Sequence, residues 1–289
     1  MIFIKTLRQY YLLTKPGIIR GNLIVALAGF LLASDGVINF SLMLALLGGT
    51  SLIIACGCVI NNYLDKDIDI YMSRTKKRAL VTGTISNRNA IIYGSILGIA
   101  GALLLAFFTN YLTLACGLVG LFFYLVMYSI FKRKNIYGTL VGSVSGAVPP
   151  VAGYTAVTNQ IDITAGLLFL ILVFWQMPHF YAIAIFRLND YKKAGVPVLP
   201  AIKGLQKTKK QINAYIIALG MTMTMLFFVA ELSYIYLIVM LGVTIYWLFL
   251  GLKAIRSEEG IKWAHTMFSF SLVVLLVFST LISLNAWLP

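Results

Sequence analysis

The chain has 289 residues, 60% of them hydrophobic and 11% charged, with a mean hydropathy of +0.91 and a formal net charge of +14. A soluble globular domain carries about 25% charged residues, so this composition excludes one.

Nine apolar stretches of the length needed to cross roughly 30 Å of hydrocarbon follow one another along the chain. They are predicted at Ile18–Ala33, Ser41–Tyr63, Ala90–Phe108, Tyr111–Phe131, Thr139–Ala156, Thr164–Phe186, Gln211–Ala230, Ser233–Leu252 and Ala264–Leu288. Backbone polar groups in lipid must be satisfied within the segment, so these are helices. The alternating ten-residue strands of a barrel are not seen. The expectation is an all-α integral membrane protein, one nine-helix bundle forming a single polytopic domain over residues 1–289.

The connections alternate in charge. Lys5–Arg20, Lys66–Arg88, Lys132–Lys134, Arg187–Lys210 and Lys253–Lys262 hold all 23 Lys and Arg, whereas the other side holds only Asp35, Asp162 and Glu231. The positive-inside rule then places the N-terminus in the cytoplasm and the C-terminus outside. The basic balance is therefore a topology signal and implies no nucleic-acid partner. The first residues carry Lys5, Arg8 and Lys15 and do not read as a cleaved signal or a transit peptide, which points to a bacterial plasma membrane. Cys56, Cys58 and Cys116 fall in apolar helices and read as small core residues. The two long connections, about 64–89 and 187–210, both lie on the cytoplasmic side, where function is expected.

Gly94-xxx-Gly98 and Gly138-xxx-Gly142-xxx-Gly146 are small-residue stripes for close helix packing in lipid. Pro149-Pro150 removes two amide donors and predicts a kink or break in the fifth helix, and Pro178 predicts a second kink.

Asn61, Asp65 and Asp69 are spaced i, i+4, i+8 at the end of the second apolar helix. They share one helical face over roughly 12 Å, and Asp67 falls on the opposite face. Acidic groups at a helix C-terminus oppose its dipole and repel one another, so something positive must compensate. Mg²⁺ suits an oxygen-only set and completes its shell with water and phosphate oxygens. An ion-pair cluster with the following Arg74, Lys76, Lys77 and Arg78 is the plainer reading. Arg74 and Arg78, four apart, match a diphosphate bidentately. Arg20, Asn22, Lys132, Arg133 and Asn135 lie on the same side and could ring the motif, although each alone is an ordinary snorkelling or capping residue. In the second region Gln176, His179, Arg187 and Asp190 fall near one face. A His two turns inside an apolar helix needs a cavity or a partner.

The segment Asn61-Asn62-Tyr63-Leu64-Asp65-Lys66-Asp67-Ile68-Asp69, with Arg74-Thr75 and Arg78 through Gly83, resembles the first aspartate motif of the UbiA-type intramembrane prenyltransferases. His179-Phe180 through Asp190-Tyr191, Ala194-Gly195-Val196-Pro197 and Leu199-Pro200 is similar to the heme O synthase branch of that family. Gly146 through Pro150 with Gly153, and Leu13-Thr14-Lys15-Pro16, fit the same branch. The wider superfamily offers several aspartates in its second motif, whereas here Asp190 stands with Asn189, Arg187 and Lys193. The resemblance implies farnesyl diphosphate and heme B as substrates, Mg²⁺ as cofactor, and hand-off of the product to a heme-modifying enzyme or a terminal oxidase. It implies Asn61, Asp65 and Asp69 as metal ligands, and Arg20, Arg74, Arg78, Lys132, Arg187, Asp190 and Tyr191 around the diphosphate. Lys193 is implied beside the leaving group, and His179 at the heme or at the proton of the added water. The same chemistry on an aromatic quinone precursor, and a transporter, are the competing readings.

Overall fold

The computed structural model describes residues 2–253 and 260–289. Among them, nine helices are long and apolar enough to cross a bilayer, and there is no strand. A short helix, α1 (Ile2–Leu13), precedes the first span, which sequence periodicity did not set apart. The spans are α2 (Pro16–Ser34), α3 (Phe40–Leu64), α5 (Asn87–Phe108), a composite fourth span, α8 (Gly138–Thr158), α9 (Ile163–Phe186), α12 (Gly204–Val229), α13 (Tyr234–Lys253) and α14 (Gly260–Ser283). One-turn helices α4 (Lys66–Asp69) and α11 (Leu199–Ile202), with the six-residue α10 (Leu188–Lys193), punctuate the long connections. The last span ends at Ser283 and a 3₁₀ turn follows at Asn285–Trp287, five residues short of the predicted Leu288. Most of the Lys253–Lys262 connection lies outside the described residues.

Side chains start the helices where the sequence offers short polar groups. Asn39, Ser86, Asn110 and Asp162 each accept a hydrogen bond from a backbone N–H three residues on, at 2.8–3.2 Å. The fourth span changes pitch. It runs as α6 (Tyr111–Phe122), a π-helical turn at Phe123–Met127, then α7 (Tyr128–Lys134). Such bulges shift every following side chain around the axis.

Helix α9 is the hub. It packs on α8, α12 and α14, and its Leu168, Ile171, Leu172 and Met177 are fully buried. Large apolar residues such as Ile99, Phe107, Phe228 and Ile238 remain on the outside, as expected of lipid-facing surface. The predicted break at Pro149-Pro150 does not occur, because α8 stays helical through both prolines. The reason lies in α2. A Cβ at Gly29 would fall 2.9 Å from the Pro150 carbonyl carbon, and one at Gly153 would fall 2.8 Å from the Phe30 backbone nitrogen. Backbone packs directly on backbone there, and the proline turn is sealed inside protein, where lost amides are tolerated. Helix α9 likewise continues through Pro178.

The contact between α2 and α8 should not admit a side chain. Gly153→Leu is expected to lower thermal stability in detergent by about 1–3 kcal/mol. Gly166→Ala, where nothing lies within 4 Å of the added carbon, should leave the melting curve unchanged.

Candidate active site

The acidic motif keeps its periodicity although the helix does not run straight through it. Helix α3 ends at Leu64, Asp65 adopts φ −98° and ψ 1°, and α4 restarts at Lys66. Asp65 N–H still donates to the Asn61 carbonyl at 3.0 Å, and Asp69 N–H to the Asp65 carbonyl at 2.8 Å. The three side chains therefore still rise in a ladder.

A second ladder on the fourth span faces the first. Tyr124, Tyr128 and Lys132 are also four apart. The rings of Tyr124 and Tyr128 stack at 5.9 Å with planes 6° apart, and the Lys132 ammonium lies 4.8 Å from the Tyr128 ring centre. Tyr124 donates its hydroxyl to Asn61 Oδ1 at 3.1 Å, and Lys132 is ion-paired with Asp65. The π turn begins one residue before Tyr124, so it sets the register of this ladder. Glycine brings α8 close behind: Gly142 would place a Cβ 2.7 Å from the Tyr128 ring, and Gly138 2.5 Å from the Lys132 Cα. The glycine stripe read as packing is packing, and what it packs is this wall.

Two more cations close the site. Arg78 donates to Asp69 Oδ2 at 2.5 Å, and the Asp69 carboxylate is buried. Lys15 comes from the turn between α1 and α2. Its Nζ donates to Asn61 Oδ1 at 3.2 Å. Lys15 has φ 53° and ψ 66°, a left-handed conformation unfavourable for a side-chain-bearing residue and unusual before proline. The turn is held by Thr14, whose hydroxyl donates to the Tyr11 carbonyl at 2.7 Å, and by Asn62, whose amide donates to the Leu13 carbonyl at 2.9 Å. Burial pulls the Lys15 ammonium down to about 8, partly offset by Asp65 and Asp69. Lys15, Tyr124 and Tyr128 were not singled out from sequence as site residues. The four-residue spacing of Tyr124, Tyr128 and Lys132 was the available signal for two of them.

Asp67 points elsewhere, as its helical phase predicts. Arg133 holds it bidentately at 2.6 and 2.8 Å and donates to the Leu64 carbonyl at 2.7 Å, capping α3. That bond holds the Asp67 carboxyl below the usual carboxylate range.

The second connection meets the first through one clasp. Ser73 donates its hydroxyl to Asp190 Oδ2 at 2.8 Å and its amide to Oδ1 at 3.3 Å. The pair lowers the Asp190 carboxyl. Asp190 thus ties the two loops together through Ser73. Tyr191 is half-buried beside it; burial raises its phenol, while Arg74 and Arg187 act in the opposite sense. Arg74, Arg187 and Lys193 are exposed, and Lys193 bears on Asp190 by charge. Arg20 is exposed on the first turns of α2 and makes no hydrogen bond or ion pair among the described residues. His179 pairs with the last span. Its Nδ1 is 2.7 Å from Ser271 Oγ on α14.

The donor set decides whether a divalent cation fits. Among the described residues, no three or more His, Cys, Asp or Glu side chains converge. Asp65 and Asp69 each commit one oxygen to a cation, and the other oxygen of each is in no described hydrogen bond. Two carboxylates and one amide oxygen are what Mg²⁺ takes from a protein when substrate oxygens complete its shell. The two carboxylates fit, whereas Asn61 Oδ1 already accepts from Lys15 and Tyr124 and would join the shell only by giving up one of those bonds. The arrangement as a whole sets two carboxylates among Lys15, Arg78 and Lys132 at the end of a membrane-spanning helix.

Residues 22–275 match the UbiA prenyltransferase family. The chain belongs to that family. A protoheme IX farnesyltransferase of Protochlamydia amoebophila is 48% identical over 273 residues, covering 94% of this chain and 96% of the relative. One from Yersinia enterocolitica is 49% identical, covering 98% and 96%. Among solved structures, digeranylgeranylglyceryl phosphate synthase superimposes with a TM-score of 0.81 at 20% identity, covering 98% of this chain and 99% of that one. A UbiA homolog from Archaeoglobus fulgidus bound to DMAPP and Mg²⁺ gives 0.71 at 16% identity, covering 95% and 99%. The chain is a polytopic membrane prenyltransferase of the UbiA fold.

Two outcomes follow for UbiA-type charge packing here. Lys132→Met strands Asp65, leaving Arg133 at 3.8 Å as its nearest cation, and should cost about 3 kcal/mol in thermal unfolding. Adding Asp65→Asn should return most of that loss. Ser73→Ala should weaken the clasp by about 1 kcal/mol, seen as roughly fivefold faster limited proteolysis within both loops.

Proposed function

We propose that this chain transfers the farnesyl group of farnesyl diphosphate to the 2-vinyl group of heme B, giving heme O and diphosphate, at the cytoplasmic face of a bacterial plasma membrane. The observation that carries the reading is the facing pair of ladders, Asn61-Asp65-Asp69 against Tyr124-Tyr128-Lys132, in a chain that shares about 48% of its residues with protoheme IX farnesyltransferases over nearly their whole length. The choice of porphyrin over a quinone precursor rests on those relatives and on the 179–200 segment.

Mg²⁺, when bound among Asn61, Asp65 and Asp69, supplies Lewis-acid neutralisation of the leaving diphosphate. The chain's own groups do the rest. Arg78 and Lys132 hold the carboxylates in place and present their remaining N–H donors to phosphate oxygens. Lys15 adds a further positive charge, whose described hydrogen-bond partner is a neutral amide. Arg74 and Arg187 extend this field at the mouth. These cations stabilise the charge that grows on the diphosphate as the C1–O bond breaks and its electron pair leaves with oxygen. The vinyl π pair forms the new C–C bond to the allylic carbon. Water then adds to the resulting porphyrin-side cation and releases one proton. The stacked Tyr124 and Tyr128 rings form an apolar wall against which an allylic cation is shielded from water. Release of the product to a heme-modifying enzyme or a terminal oxidase completes the reading.

The test is direct. Purified protein with heme B, farnesyl diphosphate and Mg²⁺ should yield heme O and pyrophosphate. Asp65→Asn and Asp69→Asn should each lower turnover by more than about 100-fold. Prenylated hydroxybenzoate in place of heme O would move the assignment to the quinone branch. Solute transport without pyrophosphate release would abandon it.

A further inference from the structure

Helices α13 and α14 leave an open groove of about 490 Å³ between them, and none of its lining residues belongs to the acidic cage. A volume of roughly 300–1,000 Å³ is that of a small-molecule site. The α14 wall is Lys262, His265, Thr266, Ser269, Phe270 and Val273, at helical spacing, so they share one face. Tyr246 and Leu250, one turn apart, form the α13 wall. The floor is closed. The Phe270 ring lies 5.2 Å from that of Tyr246 and 6.5 Å from that of Trp247. Trp263 donates its indole N–H to the Leu250 carbonyl at 3.0 Å and ties the two helices where the groove begins.

Polarity along the groove is graded. Lys262, the third residue of α14, is exposed and makes no ion pair among the described residues. The exposed His265 is held by its stack on Phe186, at 4.2 Å and 14°. The Thr266 hydroxyl donates to the Lys262 carbonyl at only 3.3 Å. Ser269, about 14 Å along α14 from its start, is exposed and its hydroxyl makes no hydrogen bond among the described residues. A hydroxyl left unpaired against hydrocarbon is unfavourable unless an acceptor meets it. Beyond Ser269 the walls are Phe270, Val273 and, opposite, Tyr246. No acid lines the groove, and its polar end sits at the positive end of the α14 dipole. The Lys253–Lys262 connection carries Lys253, Arg256 and Lys262 against Glu258 and Glu259, a net +1, with 254–259 outside the described residues.

We propose that the α13–α14 groove is a binding site for one anionic glycerophospholipid. The order of groups down the groove is the order of groups in the lipid. The headgroup phosphate meets the Lys262 ammonium and a ring N–H of His265 at the start of α14. An ester carbonyl accepts from the Ser269 hydroxyl, one helical turn below Thr266. The acyl chain then runs over Tyr246, Phe270 and Val273. A free phosphate would use only the upper end and leave Ser269 and the apolar walls uncovered. Through the His265–Phe186 stack the headgroup borders the end of α9, where the second long connection starts.

Native mass spectrometry of the delipidated full chain in neutral detergent, titrated with lipid and no substrate, tests this independently of the transferase reading. Phosphatidylglycerol should fill one site at least about fivefold more tightly than phosphatidylcholine. Lys262→Gln should weaken phosphatidylglycerol roughly fivefold. Ser269→Trp fills the groove without changing charge and should weaken it more than about tenfold. Lys134→Gln, which removes an exposed lysine on another helix, should change nothing. Equal affinity of the wild type for the two lipids would overturn the proposal, with no dependence on a variant's folding. So would full retention of phosphatidylglycerol by a Ser269→Trp protein that melts like the wild type, because the lipid would then be held by net charge alone. Displacement of the lipid by millimolar inorganic phosphate would reduce the site to an anion site and overturn the lipid assignment. A dimer that Ser269→Trp dissociates while lipid binding persists would give the groove to a second copy of the chain and overturn it as well.

Discussion

Two carboxylates at the end of a membrane-spanning helix set the terms for everything around them. Asp65 and Asp69 sit where the α3 dipole is negative, one turn apart, and Asp69 is buried. Neither position is tolerable without positive charge close by. The chain supplies it from three separate places: Lys15 before the first span, Lys132 at the end of the fourth, and Arg78 in the loop that follows the motif itself. The result is a cage in which fixed charges of both signs are held by bonds to one another. Under the proposed function, a diphosphate entering it would meet cations already oriented and already stripped of part of their water. Little rearrangement remains to be made during bond cleavage, which is what lets fixed charge lower a barrier.

Keeping that cage in register is a packing problem. The π turn at Phe123–Met127 rotates Tyr124, Tyr128 and Lys132 toward α3, and the Gly138–Gly142 stripe lets α8 press against them from behind. In lipid, where burial of apolar surface offers little drive between helices, close backbone approach and polar contacts must hold the bundle. The α2–α8 contact at Gly29 and Gly153 is the tightest instance. It also explains how two consecutive prolines fit within a continuous helix. Lys15, strained in a left-handed turn, hangs from the start of that same α2. Loss of packing at α2 would therefore reach the active site through Lys15. Local strain of this kind persists only where surrounding structure over-determines it.

The far side of α9 has a different character. Three of its polar side chains have defined partners: Trp175 and His179 on Ser271, Gln176 on the Ser143 carbonyl. Aromatic rings fill the rest of the seam, ending in the Phe186–His265 stack at 4.2 Å. One helix thus presents a hydrogen-bonded amide toward α8 and an oriented imidazole toward α14. That division suits an enzyme whose two substrates share an apolar body but differ in where their charge lies.

Much of this was legible in the residues themselves. Hydropathy gave nine spans because lipid forces each segment to satisfy its own backbone, so length and apolarity are sufficient evidence. The four-residue spacing of Asn61, Asp65 and Asp69 survived in space because local hydrogen bonds carry it even across the helix end. Asp67, set apart by the same phase argument, pairs with Arg133. What periodicity could not give was anything decided between distant segments. A break at Pro149-Pro150 was one outcome expected from chemistry local to proline, but α8 stays helical through both residues, packed on α2. Asp190 read as a residue beside the diphosphate, and its hydrogen bonds to Ser73, 117 residues away, were not legible in the sequence. Lys15 looked like a topology marker until the turn brought it onto Asn61, 46 residues on. Sequence fixes what a side chain can do within one turn of its own helix. Which charge meets which, across a bundle, is settled only when the helices pack, because Coulomb and hydrogen-bond energies depend on distances that the order of residues does not contain.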